Sequence, residues 1–155
     1  MRKNHPLPST TSAHMTALTL QLAQSLIATA LAEARALGYK PMGVVVVDAA
    51  GQLKALARED GASALRLDIA TGKACAALGM GVSSRVLTQR AKDLPAFFIS
   101  LASVSSQKFV PQTGAVLIKD AAGDVIGAAG ASGGTGDEDE AICIAGINAT
   151  GLSHG

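Results

Sequence analysis

The sequence is poor in the residue types that support several common kinds of chemistry. Its 155 residues include three histidines, two cysteines, no tryptophan and 3% aromatic residues. The cysteines, Cys75 and Cys143, lie in alanine-rich segments outside any Cys-x-x-Cys or Cys/His cluster, so we interpret them as apolar packing residues in a reducing compartment. The histidines, His5, His14 and His154, all lie in predicted terminal tails, so no Ser/His/Asp triad can be built in the folded region.

Charge and long apolar runs are also scarce. The net charge is +1, and the basic residues are spread along the chain without the stripe that phosphate-backbone binding requires. No run approaches the roughly 18 apolar residues of a membrane span. Arg2 and Lys3 precede an apolar stretch at residues 17–32, but Gln21 and Gln24 interrupt it, which argues against a signal peptide. We therefore expect a cytoplasmic protein with neither nucleic acid nor a membrane as its partner.

The apolar content bounds the number of domains. A chain of this length that is 48% hydrophobic can bury one core but has no room for two. Residues 1–18 are rich in Ser, Thr, Pro and His without periodicity, which predicts a disordered N-terminal leader. Residues 19–152 are predicted to form a single domain.

Periodicity and turn residues divide this domain into helices and hairpins. Apolar residues at steps of three and four predict a first helix capped by Thr19. The valine run at 44–47, followed by a turn and an alternating segment, predicts a β-hairpin. The predicted helices cover residues 19–37, 63–79, 83–92, 95–101 and 137–149, and the predicted strands cover 44–47, 52–57, 115–119 and 125–129. Because each strand pair is joined locally, we predict an α+β fold with a largely antiparallel sheet flanked by helices.

Two cations share one face of the second predicted helix. Arg66, Ala70 and Lys73 are spaced by four and three residues, which places them on one stripe. An anionic ligand such as a carboxylate fits this arrangement, with Arg66 as a bidentate donor and Lys73 as a point charge. The alternative is that both cations face water or pair with Asp60 and Asp68.

A glycine-rich segment precedes an acidic helix start. Residues 130–134 invite comparison with a phosphate-binding loop, but the four acids at 137–140 would repel a phosphate. Ser132 and Gly133 more plausibly let the backbone approach a ligand or a neighbouring subunit.

The acids themselves have two interpretations. Asp139 or Glu140 could reach into a pocket and act as a general acid or base if burial raised its pKa. The alternative is helix capping and solvation, with Asp137 and Glu140 forming a capping box. A serine, Ser83, is similarly predicted to cap the third helix.

Phenylalanines 97 and 98 follow Pro95 in a short predicted helix. Phe97 and Phe98 are candidates to line an apolar pocket around a ligand. Packing in the core is the alternative interpretation.

Three blocks of sequence occur in an order typical of one known family. They are Arg-Glu-Asp-Gly-Ala at 58–62, Ile-Ala-Thr-Gly-Lys-Ala at 69–74, and the glycine-rich and acidic run at 127–140. Together they resemble the GlcG/HbpS family, whose domain is described as haem-binding or haem-degrading, over about residues 19–152. The resemblance implies an α+β sandwich and symmetric homo-oligomers. The small-residue helix face and the glycine-rich segment also favour close contact between subunits.

The resemblance extends to particular positions. Lys73 occupies the lysine of the family's helical block, whereas Arg66 stands where a small or polar residue is expected. Arg58 and Asp60 match the family's Arg-Met-Asp-Gly-Ala block, in which Glu59 replaces the methionine. They are candidate ligand-binding residues, or they only shape the turn into the helix.

Members of this family differ in chemistry: some bind haem, one is fused to a corrinoid adenosyltransferase, and some are hydroxylaminobenzoate lyases. The lack of a histidine in the predicted core removes the usual proximal ligand of haem. We therefore expect a lyase that acts on a small aromatic carboxylate, with N–O loss and release of ammonia, and needs no cofactor or metal. In this hypothesis Arg66 or Lys73 anchors the carboxylate, the phenylalanine pair flanks the ring, and Asp139 or Glu140 moves protons.

Two alternatives stay open. The first is a haem-binding, haem-degrading or haem-sensing protein, and the second is a non-catalytic oligomeric module. The residues that could ligate haem are Tyr39, Met42, Met80, a cysteine, Thr113 and a tail histidine.

Overall fold

The computed structural model describes residues 17–106 and 108–155. Its helices are α1 (Leu20–Ala36), α2 (Leu65–Met80), α3 (Ser84–Asp93), α4 (Pro95–Val104) and α5 (Gly136–Ala149). Its strands are β1 (Gly43–Asp48), β2 (Leu53–Arg58), β3 (Ala115–Lys119), β4 (Val125–Ser132) and β5 (Ser153–His154). Of the leader predicted at residues 1–18, only Ala17 and Leu18 fall within the described residues.

The strands form one antiparallel sheet in the order β2-β1-β4-β3-β5. Strands β1 and β2 form one hairpin and β3 and β4 form the other. Pairing of β1 with β4 joins the two hairpins at the centre of the sheet. The predicted α+β fold with a largely antiparallel sheet is confirmed.

The valine run explains why β1 is central. Val44 and Val46 face α1 and α5, whereas Val45 and Val47 face α2. All four are fully buried. A strand covered on both faces is apolar throughout rather than alternating, so the sheet lies between two helical layers.

Helices α1 and α5 form the first layer and approach each other closely. A Cβ on Gly146 would lie 2.5 Å from the carbonyl oxygen of Leu26, so only glycine permits this contact. The side-chain oxygen of Thr19 accepts a hydrogen bond from the backbone N–H of Leu22 at 3.1 Å, as predicted for the cap of α1. Leu18, assigned to the leader by sequence, is buried in this core.

Helix α2 forms the second layer. Ala70, Ala74 and Ala77 pack against the sheet. A Cβ on Gly130 of β4 would lie 2.4 Å from the carbonyl oxygen of Ala70. The small residues that were expected to serve a contact between subunits are therefore used inside the chain, where they bring helix and sheet together.

Helices α3 and α4 lie on the outer side of α2. Leu87 of α3 and Phe98 of α4 form a small core with Ala76 of α2. No helix in the described part of the chain is long and apolar enough to cross a membrane.

The cap of α3 differs from the prediction. Ser83 occupies the N-cap position, but its side chain makes no capping hydrogen bond. The neighbouring Ser84 is buried instead. Its hydroxyl accepts from the backbone N–H of Ala115 at 2.8 Å and donates to the carbonyl of Ala115 at 3.1 Å, so this serine ties α3 to β3.

The start of α5 also differs from the prediction. The capping box consists of Thr135 and Glu138, not of Asp137 and Glu140. The reason is that the helix begins at Gly136, so Thr135 is the last non-helical residue and Glu138 is the third helical one.

One strand extends beyond its predicted end, and one strand was not predicted. Strand β4 continues through the glycine-rich segment to Ser132, past the predicted end at residue 129. The short strand β5 places His154 opposite Ile118 on β3. His154 is thus part of the sheet rather than of a loose tail, although its side chain is exposed.

Candidate functional site

A cleft of about 450 Å³ lies between α2 and the first turn of α5. It opens at the edge of the sheet where β4 ends and β3 begins. We call it the polar cleft, because most of its lining side chains are charged or carry hydroxyl or amide groups. The residues that line it are Arg66, Ile69, Lys73, Gln112, Thr113, Ser132, Gly134, Thr135, Gly136, Asp137 and Asp139.

The glycine-rich segment brings the end of β4 to the start of α5. Gly133 has a φ of +154°, and a Cβ there would lie 2.4 Å from the carbonyl oxygen of Pro41. Only glycine fits between the chain and this backbone. As a result Ser132 and Gly134 lie on the same side as Lys73, and Asp139 follows one turn into the helix.

Lys73 and Asp139 form a buried ion pair at the base of the polar cleft. The Lys73 side chain is 7% exposed and that of Asp139 is 2% exposed. Lys73 Nζ lies 2.8 Å from Asp139 Oδ2 and donates a second hydrogen bond to the carbonyl of Ala131 at 3.1 Å. The other carboxylate oxygen, Oδ1, accepts from the backbone N–H of Gly134 at 3.0 Å. The pair is thus held by hydrogen bonds as well as by charge, as a buried pair requires.

Burial raises the pKa of the Asp139 carboxyl, while its contact with Lys73 opposes this rise. A raised pKa favours a carboxyl as a proton donor or acceptor over a solvated one. Asp139 is therefore the acid of this cleft that has the environment of a general acid or base.

Gly114 makes room for the lysine. Its φ is +133°, and a Cβ there would lie 2.6 Å from Lys73 Nζ. The carbonyl of Gly114 faces Cys143 Sγ at 3.9 Å. Burial raises the pKa of the Cys143 thiol, which agrees with its interpretation as an unreactive packing residue.

Arg66 stands at the junction of two clefts. Its Nη1 lies 3.4 Å from the hydroxyl of Ser132. A second cleft of about 430 Å³, which we call the Tyr39 cleft, shares Arg66, Gly134 and Thr135 with the polar cleft. The other residues that line the Tyr39 cleft are Gly38, Tyr39, Lys40, Gly133 and Glu138.

The predicted stripe on α2 is therefore present, but its two cations differ. Arg66 is half-buried and faces both clefts, whereas Lys73 is already paired with Asp139. Neither pairs with Asp60 or Asp68 through any side-chain contact that the structure shows. Arg66 is consequently the cation that can meet a ligand directly.

Four predicted site residues are joined at these clefts, and Gly133 lines the Tyr39 cleft beside them. The four are Arg66, Lys73, Ser132 and Asp139. Glu140 points away, with an oxygen 3.0 Å from Arg85 Nε. Asp137 lines the polar cleft and also pairs with Arg85.

The other predicted site residues lie elsewhere. Arg58 donates to the carbonyl of Ala62, and Asp60 is exposed in the turn before α2. Phe97 is exposed on α4 and Phe98 is buried beneath it against Phe109. None of them lines the polar cleft or the Tyr39 cleft within one chain.

In the segment before β3, sequence reasoning named Thr113 as a candidate haem ligand but missed Gln112. Gln112 lines the polar cleft beside Thr113, whose hydroxyl lies 3.1 Å from that of Thr88. The hairpin register could have revealed this, because Ala115 pairs with Gly130. Residues just before β3 must then lie beside those just after β4.

The start of α5 has little capacity for a phosphate. The N–H of Gly134 is bound by Asp139 and that of Thr135 by Glu138 at 2.9 Å. Carboxylates thus occupy the positions that a phosphate would need, in agreement with the sequence-based argument against a nucleotide site.

Comparison with known proteins identifies the class to which this fold and cleft belong. The family model described as haem degrading protein HbpS-like matches residues 18–148. The chain therefore belongs to the HbpS-like family. A comparison with curated protein sequences found no match.

Solved structures with a similar fold agree with this family assignment. PduOC, solved as a complex with heme, superimposes with a TM-score of 0.78 at 27% identity, covering 89% of this chain and 98% of its own. HbpS superimposes with a TM-score of 0.75 at 27% identity, covering 86% of this chain and 90% of the HbpS chain. The protein ORFY of Klebsiella pneumoniae has a TM-score of 0.79 at 22% identity and 97% coverage of both chains, and it supports the fold alone.

Proposed function

We propose that this protein binds haem, with the charged edge of the macrocycle at Arg66 where the two clefts meet. Family membership and the 27% identity to PduOC, solved with heme, support the ligand. The observation that carries the proposal is Arg66 itself. It is the half-buried cation that lines both clefts without a carboxylate partner among the contacts that the structure shows.

The cations of these clefts fit the two propionates of haem. Arg66 presents a planar donor suited to bidentate binding of a carboxylate. Lys40 lines the Tyr39 cleft and supplies a second cation. The clefts contain few large apolar side chains, Ile69 and the ring of Tyr39 among them, so they suit the polar edge better than the faces of the macrocycle.

Of the residues named from the sequence as possible iron ligands, Tyr39 and Thr113 line these clefts. His154 pairs with Ile118, near the far end of β3 from the polar cleft, and Met42 is fully buried in the core. Tyr39 is half-exposed and lines the cleft beside Arg66. A tyrosine phenolate is an established haem ligand, and when bound the iron supplies redox chemistry at that position. We propose Tyr39 as the ligand, with Lys73 and Asp139 holding a proton at the base of the neighbouring cleft.

Hemin titration of the full-length protein, followed by absorbance in the Soret region, tests this proposal. We expect a saturable shift that persists when His5 and His14 are both replaced by Gln. Tyr39→Phe should change the position of the Soret band, because it removes the iron ligand. Arg66→Ala should weaken binding about tenfold or more, because it removes a charge-assisted hydrogen bond.

The matched control is Arg90→Ala, which removes an exposed arginine on α3 outside both clefts. Binding that is lost in the double histidine variant would place the ligand at residues 5 or 14, outside the described residues. A weak, non-saturable response in the unmodified protein would contradict haem binding altogether.

A second candidate function is lysis of a hydroxylaminobenzoate. The observation that favours it is the buried Lys73–Asp139 pair within reach of an anion bound at Arg66. In this reaction the N–O bond of the substrate breaks and the hydroxyl leaves as water. One water then adds to the ring and a second replaces the nitrogen, which leaves as ammonia, so that a dihydroxybenzoate remains. Asp139 would donate the proton that the departing hydroxyl requires.

Binding of benzoate tests this second candidate. Arg66→Ala should weaken benzoate binding by about 1.5–3 kcal/mol, because a charge-assisted hydrogen bond is lost. Titration calorimetry measures the change, and an ammonia assay with 4-hydroxylaminobenzoate measures turnover. Unchanged benzoate affinity would remove Arg66 from the site, and absence of ammonia release would leave haem binding as the function.

A further inference from the structure

A third cleft, which shares no lining residue with the first two, lies at the other end of α2. Its volume is about 560 Å³. It is bounded by the β1–β2 turn at residues 49–52, the C-terminal half of α2 and the end of α4. We call it the apolar cleft, because its walls carry Cys75, Leu78, Met80, Leu101, Val104 and Phe109.

Lys108 is the one charged side chain among the described residues that line this cleft. No acidic side chain stands beside it in the lining. A volume of this size with largely apolar walls, one charged anchor and a few other polar groups is typical of small-molecule sites. The walls select an apolar body, and the ammonium selects an anionic group.

Cys75 marks the inner wall of the cleft. Its Sγ lies 3.8 Å from the carbonyl oxygen of Gly51 in the β1–β2 turn. Burial raises the pKa of this thiol and the charge of Lys108 lowers it. The lysine and the thiol both line this cleft, so a ligand bound there can contact both.

We propose that the apolar cleft is a separate binding site for a small amphipathic anion. The apolar part of the ligand packs against Leu78, Leu101 and Phe109, and its carboxylate or sulfonate pairs with Lys108. The polar cleft differs in character, since its walls carry Arg66, a buried ion pair and several hydroxyl groups.

The probe for this site is 8-anilinonaphthalene-1-sulfonate, which combines an aromatic body with one negative charge. We expect saturable fluorescence enhancement with the full-length protein. At saturation the probe should slow alkylation of Cys75 by N-ethylmaleimide roughly fivefold or more, because it covers the thiol. Peptide mass spectrometry separates Cys75 from the fully buried Cys143.

Lys108→Glu should weaken binding of the probe about tenfold, because it replaces the anchoring cation with a negative charge that repels the sulfonate. The matched control is Lys92→Glu, the same charge change at an exposed position on α3. Arg66→Ala should leave binding of the probe unchanged, because Arg66 lies in the other clefts. Melting temperatures within a few degrees of the unmodified protein show that each variant is folded.

Three results would overturn the proposal. One is equal loss of affinity in Lys108→Glu and Lys92→Glu, which would mean that the probe senses only overall charge. A second is loss of binding in Ile99→Ser, since Ile99 is 74% exposed on α4 outside the cleft. An unchanged alkylation rate for Cys75 at saturation would also exclude this cleft.

Discussion

At the scale of single residues, Lys73 is buried because Asp139 and the carbonyl of Ala131 accept its hydrogen bonds. Removing Lys73 or Asp139 leaves the charge of the other residue buried and unpaired. The resulting loss of folding free energy is far larger than the net stabilisation that the intact pair contributes. The pair therefore constrains which substitutions the site tolerates.

Lys73→Met should destabilise the protein by about 3–5 kcal/mol at pH 7, because Asp139 then remains buried without its cation. Urea unfolding measures the change. The double variant Lys73→Met/Asp139→Leu is the control, and it should recover much of the loss because no buried charge remains. A double variant as unstable as the single one would show that packing, not charge, dominates.

The stability of the Lys73→Met variant should depend on pH in a defined direction. Burial raises the pKa of Asp139 in the folded protein, and loss of Lys73 removes the opposing effect. A carboxyl whose folded pKa exceeds the unfolded value of about 3.9 stabilises the protein below that value and loses this contribution as pH rises through the folded pKa. Lys73→Met should thus be closer in stability to the unmodified protein near pH 4 than at pH 7.

The sequence predicted the residues of this pair but not their contact. Helical spacing placed Arg66 and Lys73 on one face, and the acidic run suggested Asp139 or Glu140. The choice between the two acids depends on where α5 begins and how it meets α2. Lys73 and Asp139 are 66 positions apart in the chain, so no local sequence pattern could reveal their contact.

At the scale of elements, the capping box of α5 fixes the helix start that positions Asp139. Thr135→Ala should cost about 1 kcal/mol of stability, because the hydrogen bond that the N–H of Glu138 donates to Thr135 Oγ1 is lost. Ser83→Ala is the matched control, since Ser83 occupies the same position in α3 without a capping bond. Chemical denaturation measures both, and equal losses would contradict the assignment of the cap.

The hairpins and helices were predictable because their signals are local. The valine run, the turns and the three- and four-residue steps depend on neighbouring residues only. The predicted strand ends at residue 129, whereas β4 continues through Gly130 and Ala131 to Ser132, although glycine in general weakens a strand. Here glycine is required by the close approach of Ala70 on α2, which is a tertiary contact. Strand β5 has only two residues and depends on pairing with β3.

At the scale of the whole molecule, self-association stays a prediction, but the residues on which it rests are different from those expected from the sequence. The small residues of α2 are buried within the chain. Large apolar side chains remain exposed on and beside α4 instead, outside the apolar cleft, at Leu94, Phe97 and Ile99. Such side chains often mark contacts between copies of a chain.

We expect light scattering to give a mass that is a multiple of 15.5 kDa. The double variant Phe97→Ser/Ile99→Ser should reduce this mass, because it removes apolar area from the exposed face. A monomer at high micromolar concentration would contradict the prediction.

The order of the strands has a consequence for how the chain holds together. The first half of the chain, from α1 to α3, contributes one hairpin, and the second half, from α4 to β5, contributes the other. Helix α1 of the first half nevertheless packs on α5 of the second half, and α2 packs on β4. Helix α5 packs on one face of β3 and β4, but the other face of these strands is covered by α2 from the first half. A protease cut between α3 and α4 should leave two fragments that stay associated as a nicked but native complex. Each fragment alone would expose an unpaired central strand, so the two halves are expected to melt together as one cooperative unit.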